Sequence, residues 1–224
     1  MSTAIPATLE ARLIWLLDRA AAGVADDGAH DLAHLRRVWA TAQQLLQAHP
    51  EADAEVVQAA AVLHDLVNLP KNHPQREQAS RMAAQQAVAL LGAAGFPAGK
   101  LDAVAHAIAA HSYSAGIVPE TIEAQIVQDA DRLDALGPVG LARMFYVGGR
   151  MGRALAHPTD PLARYRTPDD SLYTLDHVQR KLALLPGGMQ TAAARALGHE
   201  RLAWLQQFCV DFAAQWGEGP QQLG

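Results

Sequence analysis

Residues 52–67 read ADAEVVQAAAVLHDLV, an apolar run too long for a strand and ending on a histidine and an aspartate. From Val56 to Val67 only Gln58, His64 and Asp65 are polar. A helix that is apolar all round is stable only with neighbours on every side, so this segment belongs at the middle of a helical bundle. The spacing predicts a helix over about 52–67. The following NLPKNHP (68–74) holds two prolines and cannot continue it. Burying a carboxylate costs several kcal/mol unless it is paired or bound to a cation, so Asp65 is out of place in such a helix. Taken alone, His64-Asp65 reads first as a hydrogen-bonded pair closing the helix.

The rest of the chain has the same 3.6-residue period. Leu9, Leu13, Leu16 and Leu17 mark a first helix ending near Gly23. A second runs from Asp31, a fitting N-cap, to His49-Pro50, with Leu35, Val38, Leu45 and Leu46 inward. Further helices are expected at about 75–91, 97–111, 121–136 and 139–155, the last interrupted at Gly148-Gly149. AHPTDPLARYRTPDD (156–170) is the longest irregular stretch, of the length that lids and binding loops take. Closing helices are expected at 172–184 and 190–216, followed by a frayed tail, 217–224. No alternating strand pattern is present. The expected fold class is all-α, a single-domain helical bundle over 1–216, with its core at about 26–140 and C-terminal helices at 171–216.

Composition agrees. Half of the 224 residues are hydrophobic and only 5% aromatic, with the helix formers alanine and leucine dominant. A net charge of −5 argues against a nucleic-acid partner or an anionic membrane surface. The single cysteine, Cys209, excludes a disulfide framework and reads as a small core residue. No stretch has the roughly 20 uninterrupted apolar residues of a membrane span. The N-terminus reads as an amphipathic helix rather than a signal peptide, so a cytoplasmic location is expected.

Two further segments stand out beside His64-Asp65. In HDLAHLRRV (30–38), His34 and Arg37 share a helix face. In QDADRLDALG (128–137), Asp129, Asp131 and Asp134 interrupt a helix whose other face is Ile122, Ile126, Leu133 and Leu136. Two imidazoles and two carboxylates suit a hard-to-borderline divalent cation such as Mn²⁺, Mg²⁺, Co²⁺, Fe²⁺ or Zn²⁺. Four protein ligands leave octahedral positions open for water and a phosphate oxygen.

In order and spacing, this H…HD…D set resembles the HD-domain metal-dependent phosphohydrolase superfamily. HDLAHLRRV (30–38), LHDLVNLPKNHPQREQAS (63–80), AHSYSAGIVPET (110–121) and IVQDADRLDALGPVG (126–140) are similar to one subgroup of small bacterial HD hydrolases. The resemblance covers nearly the whole chain and implies an HD-type helical bundle. Carried over, the metal ligands fall on His34, His64, Asp65 and Asp129, with Mn²⁺ the first choice of ion. His30 is then structural or supports the ligands from behind, Asp31 is a cap, and Arg37 pairs with a ligand carboxylate. One departure concerns the stretch after the HD pair, Asn68-Leu69-Pro70-Lys71, which has no carboxylate where several nucleotidase branches place a glutamate. That weakens a monophosphatase reading. The additional histidines of the two-metal cyclic-dinucleotide branch are also missing.

Around such a centre, Lys71 and Arg76 are candidates to hold phosphate oxygens. His111 either protonates a leaving group or binds phosphate, or else caps helix carbonyls. His106 reads as a packed or surface histidine. Asp134 either pairs with an arginine behind the ligands or acts as an auxiliary acid–base. Arg132 reaches the pocket rim or pairs with Asp131 and Asp134. Arg150 and Arg153, with Arg164, Tyr165 and Arg166, form a cationic cluster suited to a polyphosphate or simply to solvent. The resemblance implies hydrolysis of a small-molecule phosphate, with nucleotides as substrates and pyrophosphate release from (deoxy)nucleoside triphosphates as the specific reaction. Metal-activated water would attack phosphorus, with Asp65 or Asp129 as proton acceptor. Phosphomonoesterase action and a non-catalytic nucleotide sensor are the rivals, and a homodimer is an allowed assembly.

Overall fold

The computed structural model describes residues 4–21, 31–67, 69 and 73–217. Among these the chain forms nine α-helices and no strand, only an isolated backbone bridge between Ala154 and Tyr173. The all-α expectation therefore holds. The chain divides into two compact units, Met1–Asp131 and Arg132–Gly224. His30, Asn68, Lys71 and nearly all of the expected tail lie outside the described residues.

The first unit is built around α3 (Ala54–Leu63). Val57 and Ala59 to Leu63 are all fully buried. Each fully buried valine or leucine contributes about 1.5–3 kcal/mol, which makes α3 the natural centre of the unit. α1 (Leu9–Ala20), α2 (Leu32–Leu46) and α5 (Leu101–His111) pack around it, and α4 (Ala79–Ala93) covers α5. At its N-terminus Asp53 caps Glu55 and Val56, and Lys100 bridges Asp53 and Glu55 at 2.6 Å each.

α3 ends at Leu63, four residues earlier than its apolar pattern suggests. The downstream prolines bar a regular continuation, and the chain tightens into a turn with Leu66 N–H donating to Leu63 O. The His64 ring donates from Nδ1 to Ala61 O, satisfying one of the carbonyls orphaned by the helix end. His64-Asp65 is thus a helix terminus rather than a helix interior.

The second unit holds α7 (Gly137–Arg150), the short α8 (Asp176–Arg180) and α9 (Ala192–Trp216); α6 (Ile122–Leu133) runs through the division. Trp204, Phe208, Phe212 and Trp216 recur every fourth residue along α9 and stack successively, with Phe145 of α7 against Phe208 and Phe212. Two expectations fail here. Gly148-Gly149 does not interrupt α7; any side chain at Gly148 would collide with Thr174, so glycine serves close packing. The helix expected over 172–184 shrinks to Asp176–Arg180, because residues 172–175 pair their backbone with Ala154 and Leu155.

The irregular stretch 156–170 is internally tied. Asp160 accepts from the backbone of Arg164 and Tyr165, and Arg166 forms a two-pronged pair with the buried Asp176 at 2.5 and 2.7 Å. Arg166 is therefore committed to structure. No helix among the described residues is long and apolar enough to cross a membrane.

Candidate metal centre

Three segments of the first unit converge. Asp31 caps α2, its carboxylate accepting from His34 N–H at 2.8 Å, which sets His34 in the opening turn of that helix. His64 and Asp65 follow the end of α3, and Asp131 comes from α6. His34 Nε2 lies 3.4 Å from His64 Nε2, 3.8 Å from Asp65 Oδ2 and 3.5 Å from Asp131 Oδ1. His64 Nε2 lies 3.5 Å from Asp65 Oδ2 and 3.7 Å from Asp131 Oδ1. The two imidazoles are almost wholly buried, whereas the carboxylates are 22% and 28% exposed, so the cluster has an imidazole floor and an acidic, solvent-facing rim.

Because His64 Nδ1 carries its proton toward Ala61 O, its Nε2 presents a lone pair to the cluster. An acceptor nitrogen facing a second imidazole and two carboxylates is an arrangement that calls for a cation. Ligands at about 2.0–2.2 Å from a shared divalent ion must stand no more than roughly 4.4 Å apart. Every separation above, from 3.4 to 3.8 Å, meets that limit. Among the described residues, His34, His64 and Asp131 therefore have the donor set and spacing to share one divalent metal, and His64, Asp65 and His111 form a second such group.

His111, at the end of α5, joins from the side. Its ring lies 4.7 Å from that of His64, and its Nε2 is 4.0 Å from Asp65 Oδ1. Nδ1 donates to Ile108 O at 2.6 Å, so the helix-capping role is realised and Nε2 again carries a lone pair. Burial pushes its pKa below the usual imidazole range, reinforced by His64 and opposed by Asp131 and Asp65. Asp65 thus faces the histidine pair with one oxygen and His111 with the other.

Among the described residues, the α6 carboxylate grouped with the histidine pair is Asp131. Asp129 is fully buried. Two residues apart on a helix means about 200° of rotation, so the two cannot face one ion together. A signal was available: Asp129 sits three residues after Ile126 and four before Leu133, on the apolar stripe, whereas Asp131 lies opposite it.

The remaining expected residues are spread over several elements. Arg76 begins a 3-10 turn and bonds Leu69 O. Arg37 is half-buried on α2. His106 receives the backbone N–H of Glu120 at 2.9 Å, a packing role. In the second unit, buried Asp134 pairs with Arg143 at 2.6 Å, the arginine-bound arrangement of the two left open by sequence. Arg132 donates to Gly188 O at 2.9 Å, and Arg153 helps hold the pKa of Asp170 down, after the larger effect of the His177 hydrogen bond.

Comparison with known proteins agrees with this geometry. Residues 31–136 match the family described as the HD domain. The chain is 32% identical over 189 residues to YpgQ of Bacillus subtilis, covering 82% of each protein. The structure of YpgQ in complex with ADP superposes with a TM-score of 0.69 at 28% identity, covering 92% of this chain and 96% of that one. An HD-superfamily hydrolase from Bacillus thuringiensis superposes with a TM-score of 0.70 at 28% identity, covering 93% and 98%. A Lactobacillus plantarum protein gives 0.70 at 29%, covering 95% and 98%. With helices, motif order and near-complete coverage all in agreement, the chain belongs to the HD-domain phosphohydrolase superfamily.

Proposed function

We propose that the protein hydrolyses nucleotides in a metal-dependent reaction, releasing pyrophosphate from (deoxy)nucleoside triphosphates. The observation that carries this reading is the His34–His64 pair, 3.4 Å apart, with Asp65 Oδ2 and Asp131 Oδ1 each 3.5–3.8 Å from both imidazole nitrogens. These four are proposed as the ligands, with Asp131 replacing Asp129. A divalent ion there, Mn²⁺ by preference, supplies Lewis-acid activation of a phosphoryl oxygen and acidification of water. Asp65 serves two directions at once, keeping Oδ1 toward His111 while Oδ2 faces the histidine pair. His111, whose pKa burial holds below the usual imidazole range, offers Nε2 to accept a proton or a hydrogen bond from the attacking water. Arg76, whose guanidinium bonds Leu69 O, remains a candidate for meeting phosphate oxygens. Nucleotide recognition is supported by the relative YpgQ, whose structure is solved in complex with ADP.

The test is a nucleotide panel incubated with Mn²⁺, Mg²⁺ or Co²⁺ and read by phosphorus NMR. Pyrophosphate and monophosphate from a triphosphate support the reading. Orthophosphate from a monophosphate would replace it with phosphomonoesterase action, and binding without turnover would make the protein a sensor.

A further inference from the structure

Resting on that nucleotide reading, we infer that Tyr113 is the platform on which the nucleobase of the substrate stacks. Tyr113 is 88% exposed, although an aromatic ring ordinarily gains from burial. Among the described residues of the first unit, four large hydrophobic side chains are exposed, and two of them, Tyr113 and Val118, share the loop that leaves His111. Two residues of extended chain span at most about 7 Å, so Tyr113 is tethered close to an imidazole that itself stands beside Asp65.

The loop is held firmly. Tyr113–Ala115 forms a 3-10 turn closed by Gly116 in the left-handed region (φ 63°), where a side chain would be strained. The hydroxyls of Ser112 and Ser114 bond at 3.0 Å, and the turn packs against the Arg76–Gln78 turn, α4 and α5. Beyond it, Glu120 N–H donates to His106 Nε2 at 2.9 Å, and Gln128 anchors Ala110 O at 2.7 Å. An exposed aromatic on a braced turn, next to a site that takes phosphates, suits a flat heteroaromatic group carried by those phosphates. Stacking depends on the π-face every base has, so Tyr113 would select nucleotides over bare polyphosphate rather than one base over another.

The test compares nucleoside triphosphate with inorganic tripolyphosphate, which offers the same phosphates without a base. In Tyr113→Ala the KM for the nucleotide should rise about tenfold, the scale of lost base–aromatic stacking, with kcat within about twofold. Inhibition by tripolyphosphate should be unchanged, and Tyr113→Phe should behave as wild type. Equal loss against both compounds would overturn the inference and make Tyr113 a support of the metal site; no loss against either would make it an ordinary surface residue. Should wild type turn over no nucleotide, the hydrolase reading fails by itself. Calorimetric binding of ADP to wild type and Tyr113→Ala then decides the stacking role, equal affinities overturning it.

Discussion

Removing the Asp31 cap gives a quantitative test of how the fold positions its site. The Asp31 carboxylate accepts the His34 N–H at 2.8 Å, so one bond both closes the start of α2 and holds the residue carrying a proposed ligand. Loss of an N-cap side chain costs about 1 kcal/mol. In a chain of this size that corresponds to a fall in Tm of about 2–4 °C for Asp31→Ala. If the opening turn must be re-formed for His34 to reach the ion, the same free energy is subtracted from metal binding, weakening it about fivefold. Asp31→Asn keeps an oxygen acceptor and should retain most of both quantities. Titration calorimetry with Mn²⁺ and thermal unfolding with and without the ion measure the two effects together. A lowered Tm with undiminished Mn²⁺ affinity in Asp31→Ala would refute the coupling of cap to site.

Replacing Asp131 by alanine should weaken Mn²⁺ binding by more than the roughly 10- to 100-fold typical of residues that only support a ligand, with circular dichroism largely preserved. Asp129→Asn should lower Tm and retain Mn²⁺ binding, as measured by chelator competition; the opposite pattern would restore Asp129 as the ligand. Hydrogen bonds from Lys100, chiefly, and Arg12 hold Glu55 below its usual range. At Asp53 the Lys100 bond and backbone N–H groups outweigh desolvation, with the same result. Depressed carboxylate pKa values mean stability that is present above about pH 4 and lost as pH falls through the folded-state values. Lys100→Met should therefore cost roughly 0.5–1 kcal/mol at pH 7, discounted for solvent screening, and the difference from wild type should close on acidification in urea melts. Burial pushes the Cys209 thiol up to about 11. Alkylation by iodoacetamide at pH 8 should then run roughly two-hundred-fold slower than for an unfolded thiol, in proportion to its thiolate fraction.

Much of this was legible from local pattern. The Val56–Leu63 segment, apolar but for Gln58, announces a central helix, and Asp31 announces a helix start, because both depend on neighbours a few residues away. His64-Asp65 taken alone reads as a pair closing a helix, and its metal reading rests on the ordered motifs it shares with His34 and Asp129. For the α6 carboxylate the two signals diverge: family spacing points to Asp129 and helical phase to Asp131, because two residues of phase separate core from rim. What no local pattern carries is long-range pairing. The backbone exchange of 172–175 with 154–155 cut a predicted helix to five residues. Gly148 reads along the chain as a helix breaker, whereas in the fold Thr174 packs against it.

The two-sided placement of Asp65 limits what can stand there. A carboxylate offers two equivalent acceptors; an amide of the same shape offers one acceptor and one pair of N–H donors. With the His34 and His64 nitrogens on one side and His111 on the other, an asparagine would have to turn its NH₂ group on one set or the other. Toward the histidine pair the NH₂ group would displace the oxygen proposed as a metal ligand; toward His111 it would donate to the Nε2 lone pair proposed to take a proton. Either orientation changes one of the two proposed roles, so a single atom's change from oxygen to nitrogen should separate cation capture from proton handling.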